Sequence, residues 1–156
     1  MSLPVVIIHV LTTMSLLCNL SLTPIQEVRS TQQPPYTPDE ESVVALAQTL
    51  YGECRGCSEL QQRAVCWCMF NRVDDPRFPD TIIGVVSAPA QLQGYSSYNP
   101  VWESLYDVAY SCMVDWHNGE NRVLDEDMVF FSGYLGINHF RNAWRSEEAT
   151  KFWEEE

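Results

Sequence analysis

The chain has 156 residues, with nine Lys and Arg against 21 Asp and Glu and a formal net charge of −12. A hydrophobic content of 46% suffices for one domain with its own core and excludes an intrinsically disordered chain. Nine dispersed basic residues supply no stripe that neutralises a phosphate backbone or an anionic bilayer. We therefore expect neither nucleic-acid binding nor a polybasic membrane patch.

The N-terminal segment, residues 1–22, is a candidate signal sequence or membrane anchor. Residues 3–22 are mostly apolar and about long enough to span a bilayer, although Pro4 and Asn19 interrupt them and no Lys or Arg precedes them. The hydropathy favours export or membrane contact through residues 3–22 over a buried or disordered tail. Residues 23–38 contain four prolines and predict an extended linker, which places the folded domain at residues 39–156.

The first predicted helix begins with Thr37 as N-cap and Pro38 in its first position. An apolar stripe at helical spacing follows, formed by Val43, Leu46, Ala47 and Leu50. Glu53 lies three residues further on, on the same side of the helix and at its C-terminal end. There the helix dipole and partial desolvation both disfavour an ionised carboxylate. Because a general acid must be protonated near neutral pH, this position makes Glu53 a candidate catalytic acid.

Three further helices are predicted, at residues 58–71, 82–86 and 100–118. Ser58 opens the first with a capping-box pattern, and Asp80 or Thr81 caps the second. The apolar face expected of the first comprises Leu60, Ala64, Trp67, Cys68 and Asn71. The helix at residues 100–118 is capped by Asn99 and Pro100, ends at Gly119, and has an expected apolar face of Trp102, Leu105, Ala109, Cys112, Met113 and Trp116.

The C-terminal part predicts a β-hairpin followed by a last helix. Residues 128–131 predict a strand, residues 132–136 a turn and residues 137–141 a second strand. A terminal helix is expected from Ser146. The element order is therefore mostly helical with one small hairpin.

A polar loop at residues 87–99 is rich in Gln, Gly, Ser and Tyr, including Gln91, Gly94 and Tyr95. Such a surface can hydrogen-bond and stack on a neutral polar ligand such as a sugar, although a plain loop has a similar composition. Because the chain is strongly acidic, we expect no electrostatic capture of anionic polymers, so a ligand would be held by neutral hydrogen bonding and stacking around Gln91 and Tyr95.

The cysteines allow a metal interpretation that helix geometry disfavours. Cys54, Cys57, Cys66 and Cys68 could supply four thiolates to zinc. Residues two apart on a helix point about 200° apart, so Cys66 and Cys68 would not both face one ion. Small buried apolar side chains are the favoured interpretation, and we expect no metal.

Several blocks of the chain carry a family pattern in a fixed order and spacing. They are residues 46–56, which include Tyr51-Gly52-Glu53, then residues 62–65, 71–73, 76–82, 84–86 and 91–95, with a weaker continuation at 130–133 and 138–141. Together they resemble the cell-wall hydrolase family typified by the spore-cortex-lytic enzymes of Gram-positive bacteria, members of which also serve as phage lysins.

This resemblance implies a mainly α (α+β), lysozyme-like domain with a helical lobe, a small β-hairpin lobe and a cleft between them. It also implies an enzyme that cleaves the β-1,4 bond between N-acetylmuramic acid and N-acetylglucosamine in peptidoglycan. The family's catalytic Glu corresponds to Glu53. No cofactor is implied, the partner is the glycan strand, and we expect a monomer. The expected location is the bacterial cell envelope or its exterior, or the host cytosol or envelope if the chain is a phage lysin (endolysin).

The resemblance favours lytic transglycosylation, which needs one catalytic Glu, over hydrolysis as a muramidase. A hydrolase would need a second carboxylate, about 5 Å away if retaining and about 6.5–9.5 Å away if inverting. Asp74, Asp75 and Glu59 are available, but we interpret the pair as a turn and Glu59 as a first-turn helix residue.

The remaining candidates for substrate binding are Gln91, Gly94, Tyr95, Arg55 and His139. For Arg55 we slightly favour hydrogen bonding to carbonyls at the helix end, and for His139 a role in the core or a turn. We expect Asn71 and Arg72 to cap and brace the second helix.

The chain departs from the family pattern at Cys54, where Ala is common, at Cys57, where a second Glu is frequent, and at Leu92, where Phe is usual. We therefore expect activity below the family's full rate. Two other classes stay open: a catalytically weakened wall-binding module, and a thiol or zinc protein.

Overall fold

The computed structural model describes residues 35–134, 136–144 and 150–151. The predicted apolar segment at residues 1–22 and most of the predicted linker lie outside these ranges. So does most of the terminal helix expected from Ser146, and its two described residues, Thr150 and Lys151, form a strand instead. Among the described residues, no helix combines the length and the apolar character needed to cross a membrane.

The described residues form four helices and three antiparallel strands, in the sheet order β1-β2-β3. The elements are α1 Glu40–Cys54, α2 Glu59–Asp74, α3 Ile82–Ser87, α4 Glu103–Asn118, β1 Phe130–Tyr134, β2 Ile137–Arg141 and β3 Thr150–Lys151. The prediction of a mainly helical domain with a small β lobe is confirmed.

Helix α1 begins two residues later than the sequence predicted. The prediction of Thr37 as N-cap was wrong, because the Asp39 carboxylate accepts the Ser42 N–H at 3.1 Å. Asp39 has an extended backbone, as an N-cap requires. The predicted stripe is confirmed, since each of its four residues is at most 1% exposed: Val43, Leu46, Ala47 and Leu50. The helix continues to Cys54, so Glu53 lies in its last turn.

Helix α2 lies at the centre of the domain and packs against α1, α3, α4 and the hairpin. Its residues from Ala64 to Arg72 are all buried. Two predictions here were wrong. Leu60 is 42% exposed, and Ser58 makes no side-chain cap. The Gln61 side chain, expected to complete the capping box, instead accepts the Asn138 backbone N–H at 3.1 Å and its side-chain amide at 3.2 Å, which ties β2 to α2.

The two later helices confirm one predicted cap and correct another. Thr81 caps α3 by accepting the Gly84 N–H at 3.1 Å. Helix α4 begins at Glu103, with Trp102 as N-cap and 47% exposed, so Asn99 is not its cap and Trp102 is not in the core. Gly119 ends α4 as predicted, with a left-handed φ of 70°.

The predicted hairpin is confirmed: the second strand has the predicted bounds, whereas the first strand lies later in the chain and the turn is tighter than expected. Strand β1 begins at Phe130, and pairing extends from Phe130 opposite Arg141 to Tyr134 opposite Ile137. Gly136, at φ 80°, supplies the left-handed residue in the turn. Phe140 is fully buried among the core residues of the helices, which joins the hairpin to the helical core, and it stacks on its cross-strand partner Phe131 at 5.8 Å between ring centroids.

Candidate active site

A cleft of about 560 Å³ lies between the helices and the hairpin. Two groups of residues line it. The first, the acid side, comprises Glu53 and the loop residues 90–93. The second, the hairpin side, comprises Arg72, residues 130–133, Arg141 and Trp144. The predicted cleft between the two lobes is therefore present, and Glu53 is in it.

The Glu53 carboxylate is held by the backbone of the polar loop. Glu53 is half-buried, and its Oε1 accepts the Gly94 N–H at 2.7 Å. The two chain segments approach so closely that a Cβ on Gly52 would stand 1.8 Å from the Gly94 carbonyl oxygen. A Cβ on Gly94 would likewise stand 2.5 Å from the Gly52 carbonyl carbon. Only glycine at both positions permits this hydrogen bond.

Gln48 and Asn99 fix the polar loop to α1 through reciprocal amide hydrogen bonds. The Gln48 Nε2 donates to the carbonyls of Ser97 at 2.8 Å and Asn99 at 3.2 Å. The Asn99 Nδ2 donates to the carbonyls of Gln48 at 3.0 Å and Gly94 at 2.7 Å. The sequence interpretation missed both roles. The available signal was a glutamine next to the apolar stripe of α1, because a buried amide needs partners.

The hairpin side presents aromatic rings that the sequence interpretation did not assign to the site. Phe130 contacts Phe78 at 5.9 Å and Trp144 at 5.7 Å between ring centroids. Trp144 is 70% exposed, so its indole is available to a ligand in the cleft. Aromatic faces are common platforms for apolar sugar faces and amphipathic ligands. No local motif predicts this grouping, because the folded hairpin brings these residues to one place.

Asn71 and Arg72 brace the segment that leads into β1 rather than α2 itself. The Asn71 amide donates to the carbonyls of Asp125 at 2.7 Å and Met128 at 3.0 Å. The Arg72 Nε donates to the Val129 carbonyl at 2.6 Å, and its guanidinium lies over the Phe78 ring at 5.3 Å. The role expected from sequence was therefore misassigned for both residues, and Arg72 is in addition a cleft residue.

The five predicted substrate-binding residues are dispersed. Gln91 lines the cleft, and Gly94 binds the Glu53 carboxylate. Tyr95 is half-buried and packs against the core. Neither it nor His139, which lies on β2 opposite Ser132, is among the residues lining the cleft. Their binding roles stay predictions.

Arg55 adopts the helix-end arrangement that the sequence slightly favoured. Its Nη1 donates to the Tyr51 carbonyl at 3.0 Å, and its guanidinium lies over the Tyr51 ring at 4.9 Å. It lines a second, shallower hollow next to Glu53 and not the cleft itself.

The other three candidate carboxylates lie outside the cleft. Asp74 accepts the Trp116 indole N–H at 3.2 Å, Asp75 forms an ion pair with Arg77, and Glu59 is exposed in the first turn of α2. Within the described residues that line the cleft, Glu53 is the one carboxylate.

The cysteines beside Glu53 differ sharply in environment. Cys54 is buried, whereas Cys57 is half-buried in the second hollow. The Cys54 thiol, acting as hydrogen-bond donor, lowers the pKa of Cys57 to about 7; burial opposes this shift, and the Asn138 amide, 3.6 Å from the sulfur, adds to it. The same contact and burial raise the pKa of Cys54. Among the described residues, no three His, Cys, Asp or Glu side chains are grouped as metal ligands.

Comparison with known proteins identifies relatives of one kind. A family model described as Cell Wall Hydrolase matches residues 56–154, a range that begins three residues after Glu53. A spore cortex-lytic enzyme of Halalkalibacterium halodurans is 28% identical over 82 residues, which is 53% of this chain and 24% of that protein. One from Oceanobacillus iheyensis is 30% identical over 80 residues, 51% of this chain and 29% of that protein. The chain thus matches less than a third of the length of these relatives.

One solved structure is also similar. The crystal structure of the catalytic domain of the Bacillus cereus SleB protein is 25% identical and superposes with a TM-score of 0.48, over 65% of this chain and 77% of that one. The family model covers well over half of the chain. The chain therefore belongs to the cell wall hydrolase family.

Proposed function

We propose that this chain cleaves the β-1,4 bond between N-acetylmuramic acid and N-acetylglucosamine in peptidoglycan at the bacterial cell envelope, with Glu53 as the catalytic acid. Family membership supports the substrate class. The observation that carries the proposal is the Glu53 carboxylate, oriented by the Gly94 N–H within a cleft between two lobes.

The first step requires a proton on the glycosidic oxygen, because an alkoxide is a poor leaving group. Protonated Glu53 donates this proton, the bond between C1 and the glycosidic oxygen breaks, and an oxocarbenium-like centre develops on the muramoyl sugar. The Gly94 N–H fixes one carboxylate oxygen, which leaves the other to face the scissile bond.

We propose lytic transglycosylation for the second step. The muramoyl 6-hydroxyl attacks C1, and the Glu53 carboxylate accepts the hydroxyl proton, which restores the acid and gives a 1,6-anhydromuramoyl end without consuming water. The absence of a second carboxylate among the described cleft residues supports this route, since hydrolysis by either stereochemical course uses two.

The cleft residues around Glu53 would hold the strand. Gln91 can hydrogen-bond to acetamido and hydroxyl groups, while Phe130 and Trp144 offer aromatic faces to the sugar rings. These contacts lie on both sides of the cleft, so a glycan strand running along it would touch both.

The test is digestion of purified sacculi by the full chain, with mass spectrometry of the released products. We expect anhydromuramic ends from the native chain. Glu53→Gln should lower the rate at least about 10²-fold, because general acid catalysis is worth roughly 10²–10⁴. Circular dichroism should be unchanged, since Gln keeps the size of the side chain.

Glu59→Gln is the matched control, because it makes the same chemical change on an exposed carboxylate outside the cleft. It should retain the native rate. If the released products carry reducing muramic ends instead of anhydromuramic ends, the second step is hydrolysis and not transglycosylation. A Glu53→Gln rate within a few-fold of the native one would overturn the catalytic assignment, and binding without any product would indicate a wall-binding module.

A further inference from the structure

Two arginines on the hairpin side carry buried N–H groups that have no partner among the described residues. Arg72 is 3% exposed, and within that part of the chain its Nη1 has no hydrogen-bond partner, although its Nε donates to the Val129 carbonyl. Arg141 donates from Nη2 to the Ser132 hydroxyl at 2.7 Å, while its buried Nε meets no acceptor in the described ranges. Both side chains line the cleft that contains Glu53.

No carboxylate of the described chain compensates these two charges. The ion pairs among the described residues involve three other arginines: Arg63, Arg77 and Arg122. The Cys68 thiol forms a side-chain hydrogen bond with Arg72 but does not act as its counterion, because burial raises the pKa of Cys68 to about 12 even though Arg72 opposes the shift. The Phe78 ring under Arg72 offsets only part of the cost of burial.

An unpaired buried guanidinium is expensive, and the cost per ion in proteins is on the order of several kcal/mol. The planar fork of Arg matches the two oxygens of a carboxylate, which accepts parallel N–H groups. Resting on the proposed function, we propose that Arg72 and Arg141 form an anion subsite that binds a carboxylate of the muramoyl unit while the strand lies against Glu53.

Two groups on a peptidoglycan strand offer this chemistry. The lactyl ether of muramic acid has a free carboxylate when its stem peptide has been removed. When the peptide is present, the lactyl group is an amide and the stem supplies the carboxylates. A polymer of N-acetylglucosamine alone offers neither, so the subsite selects muramoyl strands by charge.

The experiment measures equilibrium binding of glycan strands to the full chain carrying Glu53→Gln, so that the strands stay intact. The probes are strands with their stem peptides, strands freed of peptide by an amidase, and both after conversion of their carboxylates to neutral amides. We call this conversion blocking, and we expect it to weaken binding about tenfold or more for the strand that bears the recognised carboxylate. Adding Arg141→Gln should weaken binding of the unblocked strand by the same factor. Conversion of the carboxylates to amides should then have no further effect on binding.

Arg77→Gln is the matched control, because it removes the same charge from an exposed residue outside the cleft. It should preserve the discrimination between blocked and unblocked strands. Arg72→Gln should act like Arg141→Gln; if burial makes that variant unfold, the Arg141 result decides alone.

The outcomes separate this proposal from the proposed function. An Arg141-dependent loss with stripped strands identifies the lactyl carboxylate, and one with intact strands identifies the stem peptide. No such loss with either strand overturns the subsite, whether or not the native chain cleaves walls. Carboxylate-dependent binding by a chain that releases no product would leave the subsite standing and overturn the proposed activity.

Discussion

The two sides of the cleft are built from different kinds of interaction. On the acid side, the Gly94 backbone N–H donates to the Glu53 carboxylate, and the amides of Gln48 and Asn99 donate to backbone carbonyls that hold the loop in place. The hairpin side has a group of aromatic rings and two guanidinium groups, each with one N–H that has no partner among the described residues. The polar groups named on the acid side hydrogen-bond to one another, whereas the hairpin side has N–H groups and ring faces that a ligand could contact.

The two sides of the cleft therefore have different roles: one positions the catalytic acid, and the other recognises the substrate. A catalytic acid must be held within a fraction of an ångström, which a network of satisfied hydrogen bonds achieves. A recognition surface instead needs donors and apolar faces that the protein itself does not satisfy. Perturbing the acid side should therefore affect the rate, and perturbing the hairpin side should affect substrate binding.

The largest effect is expected from Gly52→Ala on the acid side. The new Cβ would stand 1.8 Å from the Gly94 carbonyl oxygen, so the loop must move and the hydrogen bond to Glu53 must break. We expect a rate loss of about 10²-fold, because a displacement of about 1 Å can cost that much. The free energy of unfolding should fall by about 1–3 kcal/mol, as overpacking generally costs. Wall clearance and thermal unfolding measure the two effects.

Gly56→Ala is the control for this change. No atom lies within 4 Å of the position of its Cβ, so the same methyl group enters open space. Native rate and stability are expected. Equal behaviour of the two variants would show that the close approach of α1 and the loop does not position Glu53.

A smaller effect is expected from Trp144→Ala on the hairpin side. Loss of the exposed indole removes a stacking surface, and an aromatic contact is worth about 0.5–1.5 kcal/mol. We expect KM for wall strands to rise up to about tenfold with kcat nearly unchanged. Tyr98→Ala, which removes a ring that is 95% exposed and outside the cleft, should leave both constants unchanged. A fall in kcat alone would contradict the separation of positioning from recognition.

The smallest effect, on the free energy of unfolding, is expected from glycine substitutions that test backbone strain in the loop of the acid side. Ala90 has a left-handed φ of 59°, which costs a non-glycine residue about 1 kcal/mol, whereas Ala88 in the same loop has a φ of −60°. Ala88→Gly should lower the free energy of unfolding by about 0.5–1 kcal/mol, since Gly gains freedom in the unfolded chain. Ala90→Gly should not, because relief of strain offsets that loss. Chemical denaturation of both variants measures the difference, and equal destabilisation would refute it.

The sequence predicted the helices better than their caps. Apolar residues at helical spacing located the four helices of the described residues, because burying apolar side chains is the main source of their stability. The N-caps of α1 and α4 were misassigned, and Ser58 stands at the N-cap of α2 without the predicted capping box. Several polar residues near each helix start could serve as caps, and tertiary partners decide between them. Gln61 and Asn99 illustrate this: both fit a capping pattern, yet their amides bind β2 and the Gly94 loop.

The candidate site was predictable on one side only. Glu53 could be found from its place on a helix and from the Tyr51-Gly52-Glu53 block, both of which are local. Phe130, Arg141 and Trp144 lie far along the chain from Glu53, and only the folded hairpin brings them to the cleft. Arg72 was assigned a bracing role because a sequence does not show which arginines lack an acidic partner.

The amino-acid sequence alone was enough to predict an acidic, mainly helical fold with one hairpin and a glutamate at the end of the first helix. Those features depend on local spacing and composition. The positions of the charged side chains in the cleft, in contrast, depend on the tertiary structure. From the net charge of −12 we expected no electrostatic capture of anions, yet packing places in the cleft two arginines that have no ion-pair partner within the described ranges: Arg72 and Arg141. The field inside a cleft depends on the nearest groups and their burial, because solvent screens the rest within about 10 Å.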